Sequence, residues 1–382
     1  MITGDLDAEL ARSLRALADT GGLPDAAIRP GGGTWRPAPG GPASYATSLP
    51  FEVSRLAGRP PAELADRLAV SLRALPWVQA AEPSGAGYLT ITVTASALAG
   101  VAARIAAAGP GCARSDALRG TAAPCVPWPD PAAAATWAQA REEQASAMVA
   151  RLAGAAGAKI SPDSGRERHL FGQHPVPPAN SPVLAAVQYF GADAVRYVLA
   201  RTPPGRSYQL SALGAGEIEP YLAVQLAHAE AASALRWAAE LTLGPLRSDL
   251  AAAGPRERPS TGPGAAPAAG LGEAPEAAPG EQLAAALGTQ PEQELLAALS
   301  WLPERVASAA RRNRPDEVPR YLEEVAVAWT ACRLAAPALP FGGTAAARDP
   351  VVASARLLLA DAARAVLAAG LALTGISARG RI

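Results

Sequence analysis

The second half of the chain is patterned as long amphipathic helices. Apolar residues recur three and four positions apart in three segments, Leu295 to Ala310, Val318 to Leu334 and Val351 to Thr374. Shorter stripes run through Val195, Val198 and Leu199, and through Leu222, Leu226 and Ala229. Such stripes bury one face of each helix against its neighbours. Alanine, about a quarter of the 382 residues, lets helices pack at short range. The pattern predicts a helical bundle over residues 183–382.

The first 108 residues mix helical and strand patterns. Helices are predicted from Asp7 to Leu17, from Pro61 to Leu75 and from Ala95 to Ala108, with a Gly/Pro-rich loop over 31–42. Residues 88–94 alternate at period two with β-branched side chains, as a half-buried strand does. This part is therefore predicted to be a small α+β domain.

Two further stretches have weaker patterns. Residues 109–182 offer one convincing helix, Ala132 to Ala153, between Pro-rich segments, and are interpreted as a truncated or linking region. Residues 251–280 are almost entirely Ala, Pro, Gly and Glu, so they cannot offset the entropy of ordering by burial. They are predicted to form a disordered insertion in the helical domain.

Charge and cysteine content exclude several classes of protein. The 34 Lys and Arg residues balance 34 Asp and Glu residues, which argues against a strong nonspecific nucleic-acid-binding protein. Three cysteines are too few for a disulfide framework. No signal peptide or membrane-spanning run is recognised. We therefore expect a cytoplasmic protein that binds neither membranes nor DNA.

Catalytic and metal-binding signatures are also missing. The segment from Gly154 to Lys159 lacks the spacing of a phosphate-binding loop, and no Gly-x-Ser-x-Gly motif occurs. Cys112, Cys125, His169 and His174 do not show the paired spacing of a zinc site. No metal, cofactor or catalytic residue is predicted.

A basic cluster is the most suggestive local feature. Arg311, Arg312, Arg314 and Arg320 lie between two predicted helices, near Tyr321 and Trp329. Residues 301–382 carry eleven arginines against seven acidic residues, a local charge of +4. Guanidinium groups and aromatic rings at such a corner suit phosphate contacts and base stacking. A solvated helix end with surface ion pairs is the alternative.

Short strings at both ends of the chain resemble arginyl-tRNA synthetases. In the N-terminal part these are YATSLPF at 45–51, AGRPP at 57–61 and GYL at 87–89, similar to the additional N-terminal domain of that family. In the C-terminal part they are GADAVRY at 191–197, QLAHAE at 225–230, and the tail from Arg356 to Ile376. These are similar to the family's helical, DALR-type anticodon-binding domain.

The central part of the chain departs from that family. Only about 75 residues lie between the two flanks, too few for a doubly wound nucleotide-binding domain. No His-Ile-Gly-His string is present, and Lys159-Ile160-Ser161 is followed by Pro162 and Asp163 where the Lys-Met-Ser-Lys-Ser loop has its second lysine. Leu226 and Glu230 replace an aromatic residue and an arginine in the helix similar to Gln-Tyr-Ala-His-Ala-Arg. The chain thus resembles the actinomycete ArgS-related anticodon-binding proteins.

The resemblance implies a fold and a ranking of functions. The expected fold is an α+β N-terminal domain followed by a mainly helical anticodon-binding-type bundle, without an intact Rossmann catalytic domain. The first hypothesis is a non-catalytic protein that binds tRNA or another structured RNA. The second is a protein-interaction or regulatory module that has lost RNA, and the third is residual ATP-dependent arginine–tRNA ligase activity. The residues expected to contact RNA are Arg311, Arg312, Arg314, Arg320, Tyr321, Trp329, Arg379, Arg381, His228 and Gln225.

Overall fold

The structure is a computed structural model that describes residues 2–19, 23–24, 34–161, 181–203, 215–241, 279–339 and 349–381. Most of the predicted insertion at 251–280, together with His169, His174 and residues 31–33, lies outside these ranges. Among the described residues, no single helix has the length and apolar character to cross a membrane. One bent pair of helices, Pro182–Phe190 and Ala192–Arg201, has the combined length and apolar composition of a membrane-spanning segment.

The N-terminal part is an antiparallel sheet covered by helices. Its elements are α1 (Ile2–Asp19), β1 (Trp35–Pro37), β2 (Ser44–Thr47), α2 (Leu49–Ala57), α3 (Pro61–Arg73), β3 (Val78–Ser84), β4 (Tyr88–Val93) and α4 (Ala95–Ala108). The strand order is β1-β2-β4-β3, with every neighbouring pair antiparallel. Leu89, Ile91 and Val93 alternate into the core as period two predicts. The predicted α+β character of this part is confirmed.

The middle of the chain contains a single β–α–β unit in its described residues. Strand β5 (Ala122–Pro124) pairs in parallel with β6 (Lys159–Ser161), and α5 (Trp137–Ala155) connects them. Residues 131–133 form a 3₁₀ turn, so the helix predicted from Ala132 begins five residues later, where the Thr136 hydroxyl accepts a hydrogen bond from the Gln139 N–H. Two three-residue strands are far smaller than the sheet of a doubly wound domain.

The remaining described elements are helices. They are α6 (Pro182–Phe190), α7 (Ala192–Arg201), α8 (Ala215–Glu240), α9 (Pro279–Ala286), α10 (Gln290–Ser300), α11 (Leu302–Arg311), α12 (Glu317–Ala335) and α13 (Pro350–Leu373). The prediction of one helix from Leu295 to Ala310 is wrong. Helix α10 ends at Ser300 and α11 begins at Leu302, because Pro303 has no N–H with which to continue the hydrogen bonding of α10. The stripe predicted on α8 is also wrong, since Leu222 and Leu226 are about half exposed.

Helix α4 joins the two end domains into one core. It packs against α1 of the N-terminal part and against α9, α10 and α13 of the bundle. Val101, Ala102 and Ile105 of α4 are fully or almost fully buried in a hydrophobic cluster that contains residues of both parts. The N-terminal domain is therefore held against the bundle by ordinary core packing.

Polar contacts complete this interface near α10 and α11. The Tyr45 hydroxyl lies 3.0 Å from the Ser300 hydroxyl, and its ring centroid is 5.2 Å from that of Trp301. The Trp35 indole N–H donates to Asp7 at 2.8 Å, while Glu304 accepts from Arg311 at 2.8 Å. Burial raises the pKa of Asp7 to about 6 and that of Glu304 to about 7, although the positive charge of Arg311 acts to lower both. Two carboxyl groups are thus buried between the domains.

One glycine fixes how the chain leaves α13. Gly375 has φ +77°, and a Cβ at this position would lie 2.8 to 3.0 Å from three ring atoms of Trp128. Replacing Gly375 with alanine is therefore expected to destabilise the protein by about 1–3 kcal/mol, because it combines backbone strain with overpacking. Gly100→Ala is the matched control, since its Cβ would meet no atom within 4 Å in the interior of α4. Urea unfolding should leave Gly100→Ala as stable as the parent or slightly more so, and equal losses in both variants would contradict the prediction.

Candidate functional site

The turn between α11 and α12 brings the four predicted arginines together, each with an acidic partner. Arg311 binds Glu304 at 2.8 Å, and Arg312 binds Glu317 at 2.6 Å. Arg314 makes two hydrogen bonds of 2.9 Å to Asp316, and Arg320 lies 3.8 Å from the same carboxylate. Asn313, with φ 53°, allows the sharp reversal of the chain. The cluster is therefore largely neutralised by its own neighbours.

Asp316 is the centre of this turn. Its carboxylate is fully buried, which by itself raises its pKa, but the hydrogen bonds and positive charge of Arg314 and the charge of Arg320 bring the pKa below its ordinary value. The Asp316 carboxylate, in the residue before α12, thus binds arginines on both sides of it in the chain. Arg314 and Arg320 thus have a structural role in the described conformation.

The two predicted aromatic residues are buried. Tyr321 is 2% exposed and donates its hydroxyl proton to the Ala298 carbonyl at 2.8 Å, which ties α12 to α10. Trp329 is 4% exposed and contributes to the core between α12 and its neighbours. Neither ring can stack on a base in this conformation.

Trp329 nevertheless borders a cavity of about 230 Å³ between α8, α12 and α13. The indole N–H of Trp329 and the Nε–H of Arg333 are buried beside this cavity and have no hydrogen-bond partner in the structure. Arg333 also binds Glu230 of α8 at 3.0 Å. Trp237, whose side chain is 61% exposed, lies at the cavity's edge. Both unpaired nitrogens, Trp329 Nε1 and Arg333 Nε, are covered by protein atoms in this conformation, so the cavity itself presents one accessible aromatic ring.

Gln225 and His228 bind the segment that follows α13. The Gln225 amide donates to the Ser377 carbonyl at 2.7 Å and accepts from the Arg379 N–H at 3.0 Å. His228 Nδ1–H donates to the Arg379 carbonyl at 2.8 Å, and burial lowers the pKa of this histidine. Both side chains are at least 95% buried, so their predicted contact with RNA is blocked in this conformation. We call this set of contacts the tail clamp, to which Arg236 adds a 2.8 Å hydrogen bond to the Gly380 carbonyl.

The predicted basic residues thus fall into two groups. Arg379 and Arg381 are exposed in the segment held by the tail clamp. The other four lie at the turn between α11 and α12, and the start of α12 is about 20 Å along that helix from the cavity at a rise of 1.5 Å per residue. Sequence reasoning missed Trp237 and Arg333. The available signal was the four- and seven-residue spacing that places Glu230, Ala234 and Trp237 on one face of α8.

The bundle that carries this cavity matches a known class of domain. Residues 272–382, which include α9 to α13, match the family model described as DALR anticodon binding domain. This region contains Trp329 and Arg333 but not α8.

The relatives found by sequence agree with this class. An arginine–tRNA ligase of Micrococcus luteus is 32% identical over 197 residues, which are 50% of this chain and 29% of the relative. The arginine–tRNA ligase of Frankia alni is 34% identical over 204 residues, covering 51% and 30% of the two chains. The chain spans less than a third of the length of the curated relatives it matches. The predicted resemblance to arginyl-tRNA synthetases is confirmed over about half of the chain.

Among solved structures, the arginyl-tRNA synthetase of Thermus thermophilus is similar with a TM-score of 0.48 and 15% sequence identity. The match covers 100% of both chains.

Proposed function

We propose that this protein binds tRNA, or another structured RNA, through its C-terminal helical bundle and does not itself activate arginine. The observation that carries the proposal is the cavity between α8, α12 and α13, of which the α12 and α13 walls lie in the region similar to anticodon-binding domains. Unpaired buried donors are uncommon in folded proteins, because each leaves a desolvation cost uncompensated. A ligand whose binding shifts these side chains and presents acceptor atoms to Trp329 and Arg333 would remove that cost.

An unstacked nucleobase has the required chemistry. Its edge carries carbonyl and ring-nitrogen acceptors, and its face can stack on the exposed ring of Trp237. Phosphates next to such a base are expected to meet Arg379 and Arg381, which are exposed. Because the overall charge is zero, affinity should be moderate and fall with salt. A cytoplasmic location is consistent with such a ligand.

The proposal predicts a specific effect of removing one N–H group. Trp329→Phe is expected to weaken tRNA binding about tenfold. It should also lower the unfolding free energy by about 1–2 kcal/mol, because the smaller ring leaves space in the core. Trp137→Phe is the matched control, since its indole N–H is also buried without a partner but lies in α5, away from the cavity.

Filter binding at several salt concentrations, with urea unfolding of the same samples, measures both quantities. Equal tRNA affinity for the parent and Trp329→Phe would remove the cavity from the proposal. Absence of any tRNA binding by the parent at low salt would overturn the proposed function itself.

A protein-interaction module that has lost RNA binding is the second candidate. It is favoured by the acidic partners of all four corner arginines, and by Leu226 and Glu230 where the resemblance has an aromatic residue and an arginine. Residual aminoacylation is the third candidate. It requires arginine-dependent exchange between ATP and pyrophosphate, which we expect to stay at background.

A further inference from the structure

A large groove lies between α5, the 109–116 turn and the second half of α13. Its volume is about 1080 Å³, and it shares no lining residue with the cavity described above. Four alanines of α13, at positions 365, 368, 369 and 372, line one side at the spacing of a single helix face. Ala150 and Gly154 of α5 line the other side. The walls are therefore formed by small side chains over two helical turns.

Positive charge surrounds this groove. Arg114, Arg151 and Arg364 line it against one acidic residue, Asp116. Arg364 is bound to Asp361 and Asp116 to Arg119. Arg114 and Arg151 are exposed, and in the described part of the chain neither forms an ion pair with a carboxylate. The groove thus combines an apolar floor with two guanidinium groups that have no carboxylate partner among the described residues.

The shape suits an α-helix. A helix about 10 Å wide occupies roughly 120 Å³ per residue, so a groove volume of about 1080 Å³ is of the order of a short helix. Alanine and glycine walls let a third helix approach closely, and a docked helix presents an apolar stripe to such a groove. Acidic side chains three or four positions apart on that helix would reach Arg114 and Arg151.

The lining is less suited to nucleic acid. Sequence-tolerant RNA binding depends on aromatic faces on which bases stack. Trp128 is the one aromatic residue among the lining residues, and it already packs against Gly375 with the Arg151 guanidinium 5.6 Å from its ring centroid. The charge and the apolar floor together favour a protein partner.

We infer that this groove is the docking site of an acidic amphipathic helix from a partner protein. The groove shares no lining residue with the cavity of the proposed RNA site, although it is also lined by Ser377 and Ala378, next to Arg379. A partner helix of this kind carries Ala or Leu on one stripe and Asp or Glu on both flanks. Its affinity includes an electrostatic part that weakens with salt.

The test is a selection from a displayed library of helical 14-residue peptides, using the full chain as bait. The library varies the flanking positions among Glu, Lys and Gln around a fixed Ala/Leu stripe. We expect enrichment of Glu-rich peptides whose affinity falls at least about tenfold in Arg114→Glu/Arg151→Glu. Arg55→Glu, an exposed charge reversal on α2, is the control and should bind as the parent does. Ala368→Trp fills the groove by bulk and should also abolish binding.

Two further measurements locate the peptide and identify the competing explanation. Cys125 is exposed and lines the groove, whereas Cys112 and Cys332 are buried, so a bound peptide should protect Cys125 from alkylation. No enrichment, enrichment of Gln- or Lys-rich peptides, or unchanged binding by the charge-reversed variant would overturn the inference. Displacement of the peptide by tRNA, with loss of tRNA binding in Arg114→Glu/Arg151→Glu, would assign the groove to RNA instead. Thermal unfolding of each variant must match that of the parent for these results to count.

Discussion

Replacing Arg356 with methionine is expected to lower the free energy of unfolding by about 3–5 kcal/mol, the cost of leaving a buried charge without its partner. Glu292 is completely buried at the start of α10, and its Oε1 accepts from Arg356 Nε at 2.7 Å. Its Oε2 accepts from the backbone N–H and the hydroxyl of Thr289, at 3.0 and 2.7 Å, in a capping box. Without Arg356, this carboxylate stays buried with only neutral donors.

Two further variants separate the ion pair from the loss of packing. Arg320→Met removes an exposed arginine 3.8 Å from its carboxylate and is expected to cost less than about 1 kcal/mol. Glu292→Gln/Arg356→Met should be more stable than Arg356→Met alone, because the amide oxygen keeps the capping contacts without a charge. Urea unfolding at neutral pH measures all three. A cost of Arg356→Met no larger than that of Arg320→Met would contradict this account.

The free energy of unfolding is expected to be higher at pH 5 than at pH 8, by about 2–4 kcal/mol. Burial raises the pKa of Asp7 from 3.8 to about 6 and that of Glu304 from 4.5 to about 7. At a pH between the unfolded-state and folded-state pKa of each group, the folded protein binds more protons than the unfolded chain. The resulting contribution to the unfolding free energy is complete below the unfolded-state pKa and is lost as the pH rises through the folded-state pKa. Below about pH 4 the trend should reverse. The folded protein lowers the pKa of Asp316, so the unfolded chain binds this proton more readily and the unfolding free energy falls as the pH falls.

Glu304→Gln tests the origin of this pH dependence. Glutamine can still accept the Arg311 hydrogen bond but does not titrate, so the variant should be more stable than the parent at pH 8 and should show a flatter profile between pH 5 and 8. The expected slope includes an opposing contribution from His228, whose lowered pKa disfavours folding as pH falls. Thermal unfolding across this range gives the measurement. A profile in Glu304→Gln as steep as that of the parent would place the titration elsewhere.

Much of the fold follows from hydrophobic periodicity. Helix α4 occupies the predicted residues 95–108, α13 begins one residue before the predicted Val351 and ends one before Thr374, and β4 covers Tyr88–Val93. Strand β3 was not predicted, because its residues contain Pro83 and little β-branched alternation. It forms because β4, separated from β3 by three residues of the chain, supplies hydrogen-bonding partners from Val93 to Tyr88, so pairing rather than the residues of β3 themselves determines its conformation.

The candidate site was harder to predict, for a physical reason. The sequence places the four arginines at one turn, but it does not show that Glu304, Asp316 and Glu317, only two to seven residues away in the chain, pair with them. Gln225 and His228 are polar residues whose burial depends on a segment about 150 residues away in the chain. Side chains that bind distant backbone atoms leave no periodic trace in the sequence.

The tail clamp restricts the length of the segment after α13 more than its amino-acid composition. Gln225, His228 and Arg236 bind carbonyl and N–H groups of Ser377, Arg379 and Gly380, which every residue type except proline can provide. Substitutions at these three positions can therefore accumulate while the hydrogen bonds persist. A one-residue insertion or deletion between Gly375 and Ser377 would shift all of these backbone groups at once. Homologous chains should thus differ in the amino acids of this segment while keeping the same number of residues between the end of α13 and the clamped positions.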